Sequence, residues 1–261
     1  MAKIKLDMHT HSLMSEHAYN TILEMVIAAK HAKLSAIGIT DHTYGIPNAP
    51  SYIYFYNFKV IPRRMYGVDL YLGAEINIVD YDGRLSFEDY MMKYVDIRLA
   101  GMHDVCYKCG SGDENTSAII GALKNPYVDI IVHMNDGKYN LDYEKIVKTA
   151  ASENKILEIN NNALRSTWRK GAWENDAKLL SLCKKYSVPV IMDSDAHFAT
   201  DVGNLTNCEK IIKDNKFPKE LVMNYDYDKF KKFIKDKRKK EPEVAKRFES
   251  KDFFIKVWYR G

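Results

Sequence analysis

A short apolar run, a polar residue, then a segment of helical period: this unit recurs along nearly the whole 261-residue chain. The apolar runs fall at residues 3–9, 36–41, 69–79, 96–103, 129–134, 155–161 and 188–194. Most are continuously apolar rather than alternating, the pattern of strands buried on both faces of a parallel sheet. Helical segments lie between them, such as residues 20–34, with Asn20 as a candidate cap, and residues 142–154, capped by Asp142. Strands and helices alternating in this way predict an α/β fold. Seven units without an obvious eighth strand fit an irregular (β/α) barrel, with a doubly wound open sheet as the structural alternative. No linker breaks the rhythm, so residues 1–237 read as one domain, followed by a basic C-terminal extension over residues 238–261.

Composition supports a packed core, since 46% of the residues are hydrophobic. The first 20 residues lack a basic-then-apolar leader pattern, and no apolar run reaches the roughly 20 residues that span a bilayer. A cytoplasmic protein without a membrane partner is expected, with Cys106, Cys109, Cys183 and Cys208 reduced. The net charge of +4 is unevenly spread: residues 229–261 carry 13 Lys/Arg and 5 Asp/Glu, which leaves the rest of the chain at −4. The basic end reads as a solvated helix closing the floor of the fold, or else as a patch for polyanions or a partner chain.

Histidine placement is the functional signal. Of eight histidines, His9 and His11 follow the first strand, His17 sits in the next loop, His42 and His103 end the second and fourth strands, His133 lies near the end of the fifth, and His197 follows the seventh. All seven therefore gather where barrels assemble their active sites. Only His31 lies inside a helix, at its C-terminal turn, where a surface position is expected. In an extended segment residues i and i+2 face the same side, so His9-x-His11 can grip one ion and Asp195-x-His197 can present a carboxylate beside an imidazole. Glu75 and Asp195 stand in the same layer and are the candidate catalytic carboxylates. Imidazole and carboxylate ligands without thiolate suit zinc, manganese or iron. Any one of these residues alone reads as a satisfied core group. Nine converging on one mouth do not, because burying them uncompensated is costly.

Taken in order, DMHTHS, GITDH, GAEINI, GMHD, IVHMND and SDAH resemble the motifs of the PHP (polymerase and histidinol phosphatase) superfamily of metal-dependent phosphoesterases. The resemblance is closest to its stand-alone, single-domain bacterial members and covers roughly residues 5 to 235. It implies a distorted (β/α)7 TIM-like barrel holding three divalent metal ions. Carried over position by position, it implies one ion on His9, His11, Glu75 and Asp195. A second would share Glu75 and add His103 and His133, and a third would sit on His17, His42 and His197. Cys106-x-x-Cys109 and the segment after Lys237 fall outside that pattern.

Three such ions against two carboxylates leave a surplus of positive charge that attracts a phosphate dianion. A water activated between ions is the expected nucleophile for attack on phosphorus. Asp7, Asp41 and Asp104 each neighbour a ligand histidine and are candidates to orient imidazoles. Arg165, Arg169 and Lys170 are candidate phosphate-binding residues, because guanidinium offers a fork to phosphate oxygens. The aromatic stretch YIYFYNF (residues 52–58) is expected to pack as a helix. The function expected is hydrolysis of a small phosphorylated metabolite. The alternatives are a nuclease acting on DNA or RNA ends, a non-catalytic metal-stabilised scaffold, and an amidohydrolase barrel, which the Asp195-x-His197 pair fits poorly.

Overall fold

The computed structural model describes residues 3–242, so most of the expected extension, residues 243–261, lies outside the described residues. In chain order the elements are β1 (Leu6–Asp7), α1 (Ile22–His31), β2 (Ala36–Ile39), α2 (Tyr52–Tyr56), β3 (Arg64–Met65), β4 (Val68–Leu72), β5 (Ala74–Asn77) and α3 (Asp89–Met92). They continue with β6 (Arg98–Gly101), α4 (Gly112–Lys124), β7 (Ile130–Ile131), α5 (Tyr143–Ser152), β8 (Ile156–Asn160), α6 (Asn161–Arg165), α7 (Ala172–Tyr186), β9 (Val190–Asp193), α8 (Thr206–Asp214) and α9 (Tyr227–Arg238). Among them no helix is long and apolar enough to cross a membrane.

The strands form two sheets, ordered β1-β2-β4-β3 and β5-β6-β7-β8-β9. Every pairing is parallel except the short β3–β4 ribbon. The run expected as one strand over residues 69–79 is two, because Gly73 interrupts it. A Cβ there would stand 2.5 Å from the Ile97 carbonyl oxygen, so only glycine lets the chain pass. Backbone contacts also run between the sheets. Thr10 pairs with Ala196 and His42 with Glu75, while the His11 and Asp195 amides donate to Ala196 and His9 carbonyls, each at 2.9 Å.

Helix caps place the helices. Asp142 caps α5 as expected, accepting from the Lys145 amide. For α1 the cap is Thr21, in a reciprocal box with Glu24. Asn20 instead accepts from the Ala199 amide at 2.8 Å, fastening the loop beyond β9. Helix α2 packs Phe55 against Phe58 and Phe87, as the aromatic stretch suggested. A buried cluster of Leu6, Leu99, Ile130, Ile156 and Ile191 is joined by Phe230 and Ile234 of α9, so this basic helix contributes its apolar face to the core. Its end is pinned by charge. Asp129, fully buried, meets Arg238 at 2.6 Å and Lys237 at 3.3 Å, and Glu241 meets buried Arg98 at 2.6 Å.

Candidate metal centre

The carboxyl ends of the strands bring together all nine expected ligand residues. Glu75, in β5 and 1% exposed, is the hub. Its Oε1 lies 2.6 Å from His133 Nε2 and 2.9 Å from His103 Nε2. Its Oε2 faces His42 Nδ1 at 2.9 Å, His9 Nε2 at 3.3 Å and His11 Nε2 at 3.4 Å. Asp195 forms a second focus, with Oδ1 at 3.2 Å from His11 Nε2, 3.6 Å from His9 Nε2 and 3.5 Å from His197 Nδ1. His17, on the exposed side, reaches His197 with 2.9 Å between their Nε2 atoms. Three sets of ligand atoms lie within 4.8 Å of one another and could hold a cation: His9–His11–Asp195, His42–Glu75–His103 and His11–His42–His197.

Two of these residues sit in left-handed backbone. His133 has φ +35° and Asp195 φ +54°, a region that side-chain-bearing residues adopt uncommonly. Gly101 makes room for the first of these, since a Cβ there would stand 2.7 Å from the His133 ring.

Electrostatics follow from this crowding. Burial opposes the charge on Glu75, but His42, His9 and His103 hold its carboxyl well below the usual range. Asp195 is likewise held down, against burial, by His9, His11 and His197. Burial disfavours the His9 cation, yet Glu75, Glu158 and Asp195 raise its pKa well above the usual imidazole value. His11 moves the other way, lowered by burial and by His197 and His42, and burial takes His103 down to about 4. Two carboxylates thus stay ionised among imidazoles, several of which resist protonation. The buried Nε2 atoms of His9 and His11, Nδ1 of His42 and Oε2 of Glu75 have no hydrogen-bond partner. Orphaned nitrogen and oxygen lone pairs converging in this way are what a divalent cation fills. The donor set fits a metal.

Around these residues runs a layer of orienting groups. His9 Nδ1 donates to Glu158 Oε1 at 2.6 Å. His11 Nδ1 stands 2.9 Å from Ser15 Oγ, which passes its own proton to Asp41 at 2.6 Å. Ser15 therefore accepts from His11, leaving Nε2 free as ligand. Asp41 is held in turn by Ser12 and by Tyr54 of α2. Asp41 acts on an imidazole, through Ser15. Asp7 does not: it takes the Ser194 amide and hydroxyl and the Gly203 amide, tying down the loops beyond β9. Asp104 pairs with Lys138 and Tyr139 on the rim. Asn160 and Asn162 approach Asp195 Oδ2 at 3.3 and 3.5 Å.

A cavity of about 320 Å³ opens over the centre, lined by His17, His42, Glu75, His103, Arg169 and Asp195 among others. A larger cleft of about 1060 Å³ continues outward past Arg169, Lys170, Trp168, Tyr139 and Val105. The three expected phosphate-binding residues part company here. Arg169 lines both spaces and reaches the His133 carbonyl at 3.3 Å. Lys170 borders the outer cleft. Arg165 is turned onto Asp201 at 3.1 Å and lines neither. Cys106 is half-buried, Cys109 is exposed beside the Lys138 carbonyl, and neither joins a candidate metal group among the described residues.

The PHP domain family matches residues 7–131, and a relative from Clostridium botulinum with the name "probable phosphatase" is 41% identical over 234 residues, covering 90% of this chain and 96% of its own. The chain belongs to the PHP-domain family. A "probable phosphatase" of Caldicellulosiruptor bescii is 39% identical, over 89% of this chain and 96% of its own. Membership in this group makes the chain a hydrolase of the phosphatase class. Among solved structures, the fold resembles a Lactococcus lactis histidinol phosphate phosphatase complexed with zinc, L-histidinol and phosphate, with TM-score 0.60 and 18% identity over 82% of this chain and 94% of that one. It also resembles a chain of an archaeal ribonuclease P with mature tRNA, with TM-score 0.56 and 16% identity over 94% and 97%. These likenesses are of fold alone, a mixed α/β fold with parallel sheets.

Sequence reasoning missed Glu158, Ser15, Asn160 and Asn162. One signal was available: Glu158 is a charged residue inside the continuously apolar run of β8, where an unpaired carboxylate is costly.

Proposed function

We propose that the chain is a metal-dependent phosphomonoesterase acting on a small phosphorylated metabolite, with three divalent ions at the mouth of a distorted (β/α)7 barrel. The observation that carries this reading is the convergence of six imidazoles on two buried carboxylates, with His17 reaching His197 beside them and inward-facing lone pairs left unpartnered. The barrel reading is supported by the backbone pairing of Thr10 with Ala196 and of His42 with Glu75, which ties the chain just beyond β1 and β2 to the two edges of the second sheet.

His9, His11, Glu75 and Asp195 would hold one ion, Glu75, His103 and His133 a second, and His17, His42 and His197 a third. Bound divalent ions of the zinc, manganese or iron type supply water activation and neutralisation of phosphate charge. The chain's own residues do the rest. Glu75 offers one oxygen to each of two ligand groups, keeping them at fixed separation. Arg169, at the neck between inner cavity and outer cleft, is placed to grip phosphate oxygens, and Lys170 adds charge along the entry. The outer cleft receives the leaving group.

The test is a screen of protein reconstituted with manganese or zinc against phosphomonoesters, cyclic nucleotides and oligonucleotides. Phosphomonoester turnover that chelation abolishes, and that Glu75→Ala and Asp195→Ala both lack, is the expected result. Turnover persisting in Glu75→Ala, or no hydrolysis of any phosphomonoester in either metal form, would overturn the reading.

A further inference from the structure

We propose that Glu158 is a positioning residue which fixes two ligand groups of the centre at once, through the ring of His9 and the backbone of His133. This rests on the metal-centre reading above. Glu158 lies in β8, 1% exposed, among Ile156, Leu157 and Ile159, which are fully buried. Its Oε1 accepts from His9 Nδ1 at 2.6 Å. Its Oε2 accepts from the His133 amide at 2.7 Å and from Asn160 Nδ2 at 3.0 Å. Among the described residues its ionic partner is His9, with no lysine or arginine beside it. A carboxylate buried in a strand without a basic partner is kept for what it orients, because its desolvation is repaid by these donors alone.

Two consequences follow from those contacts. A neutral imidazole, the form that binds a metal, presents Nε2 as its bare nitrogen when it donates its Nδ1 proton to a carboxylate, and its basicity as a ligand rises. His9 Nε2 is the atom that faces Glu75 and Asp195. The second consequence concerns His133, whose φ of +35° needs an outside hold. The bond from its amide to Glu158 Oε2 supplies one, and so keeps His133 Nε2 at 2.6 Å from Glu75 Oε1. One side chain thus orients a ligand of the first group and the main chain of a ligand of the second. His17, His42 and His197 of the third group make no contact with it.

The experiment compares the full-length wild type with E158Q and E158D. Zinc affinity is read by competition with a chromophoric chelator, and the His9 ring by NMR of the zinc-loaded protein labelled with ¹⁵N-histidine. In the wild type His9 should coordinate through Nε2 and show a strongly downfield Nδ1-bound proton. E158Q, which places an amide NH₂ against one of two N–H donors, should lose that resonance and weaken two of the three ions by about 10–100-fold. The third should be unchanged. E158D keeps the charge with a shorter reach, and should fall between the two. A His9 found coordinating through Nδ1 in the wild type would overturn the proposal without any variant having to fold. So would E158Q binding all its zinc within twofold of wild type. Failure of the wild type to bind zinc at all is a different result: it removes the metal-centre reading itself, and this proposal with it.

Discussion

Ser15 shows how a hydroxyl can set the orientation of a neighbouring imidazole. Its proton goes to Asp41, so its lone pairs receive His11 Nδ1 and the His42 amide. Ser15→Ala should therefore weaken metal binding or activity by about 10–100-fold while leaving the fold intact, and Ser15→Thr should recover part of the loss. Titrating manganese against turnover checks this; identical curves for Ser15→Ala and wild type would refute the relay. On the proposed role of Arg169 at the neck of the cleft, Arg169→Ala should raise KM for a phosphomonoester by about an order of magnitude with metal content unchanged, whereas Arg165→Ala, at a residue that lines neither space, should not raise KM. At this scale the candidate ligands were visible because most stand at or just beyond strand ends, with i, i+2 spacing in the His9–His11 and Asp195–His197 pairs. Arg165 and Arg169 were not separable, because four positions along an irregular loop decide which one turns to Asp201. Glu158 escaped notice since a buried glutamate ordinarily signals a basic partner, and its partner here is an imidazole from the other end of the chain.

Elements carry strain and charge that single residues do not. Gly101 closes β6 beside the His133 ring, so Gly101→Ala should push that ring off Glu75 and abolish most turnover, with His133 reporting the shift by NMR. The floor is held differently. Although burial opposes its charge, Asp129 has a pKa held well below the usual carboxylate range by Arg238, Lys237 and Arg98. Its ionised form is thus favoured in the folded state. The resulting stability is fully present above the unfolded-state pKa, near 4, and is lost as pH falls toward the lower folded value. Asp129→Asn should cost about 3–5 kcal/mol at neutral pH by stranding buried cations. Denaturant melts should show the gap between the two proteins closing below pH 4; a constant gap would mean the loss is one of packing. Strand positions were legible to within a few residues from continuous apolar runs. The break at Gly73 was not, since it depends on the Ile97 carbonyl approaching from the neighbouring strand. Thr21 replaced Asn20 as cap for a similar reason, because Asn20 is drawn to Ala199, far along the chain.

Across the whole molecule the open matter is what the basic end does for the site. Part of the charge over residues 229–261, which sums to +8, is bound into the fold. Lys237 and Arg238 are spent on Asp129, and Glu241 on Arg98, so this stretch belongs structurally to the floor even though the sequence placed the extension's start at residue 238. Truncation after Lys237 should therefore destabilise the protein by removing Arg238 and Glu241 from a buried ionic cluster. Truncation after Pro242 should spare that cluster. The pair separates architecture from recognition. If the segment beyond Pro242 guides nucleic acid, full-length protein should bind and cleave oligonucleotides with an affinity that falls steeply with salt, and the Pro242 truncation should lose it. If the centre serves a small phosphomonoester, that truncation should leave kcat and KM unchanged. The second outcome is expected, because the centre lies at the carboxyl ends of the strands, whereas α9 packs with Leu6, Ile130 and Ile156 from their amino ends. Pro242, the last described residue, lies beside Tyr127 and not beside a residue lining the cleft. Oligonucleotide cleavage that collapses with the Pro242 truncation while p-nitrophenyl phosphate turnover survives would reverse the assignment and make the chain a nuclease.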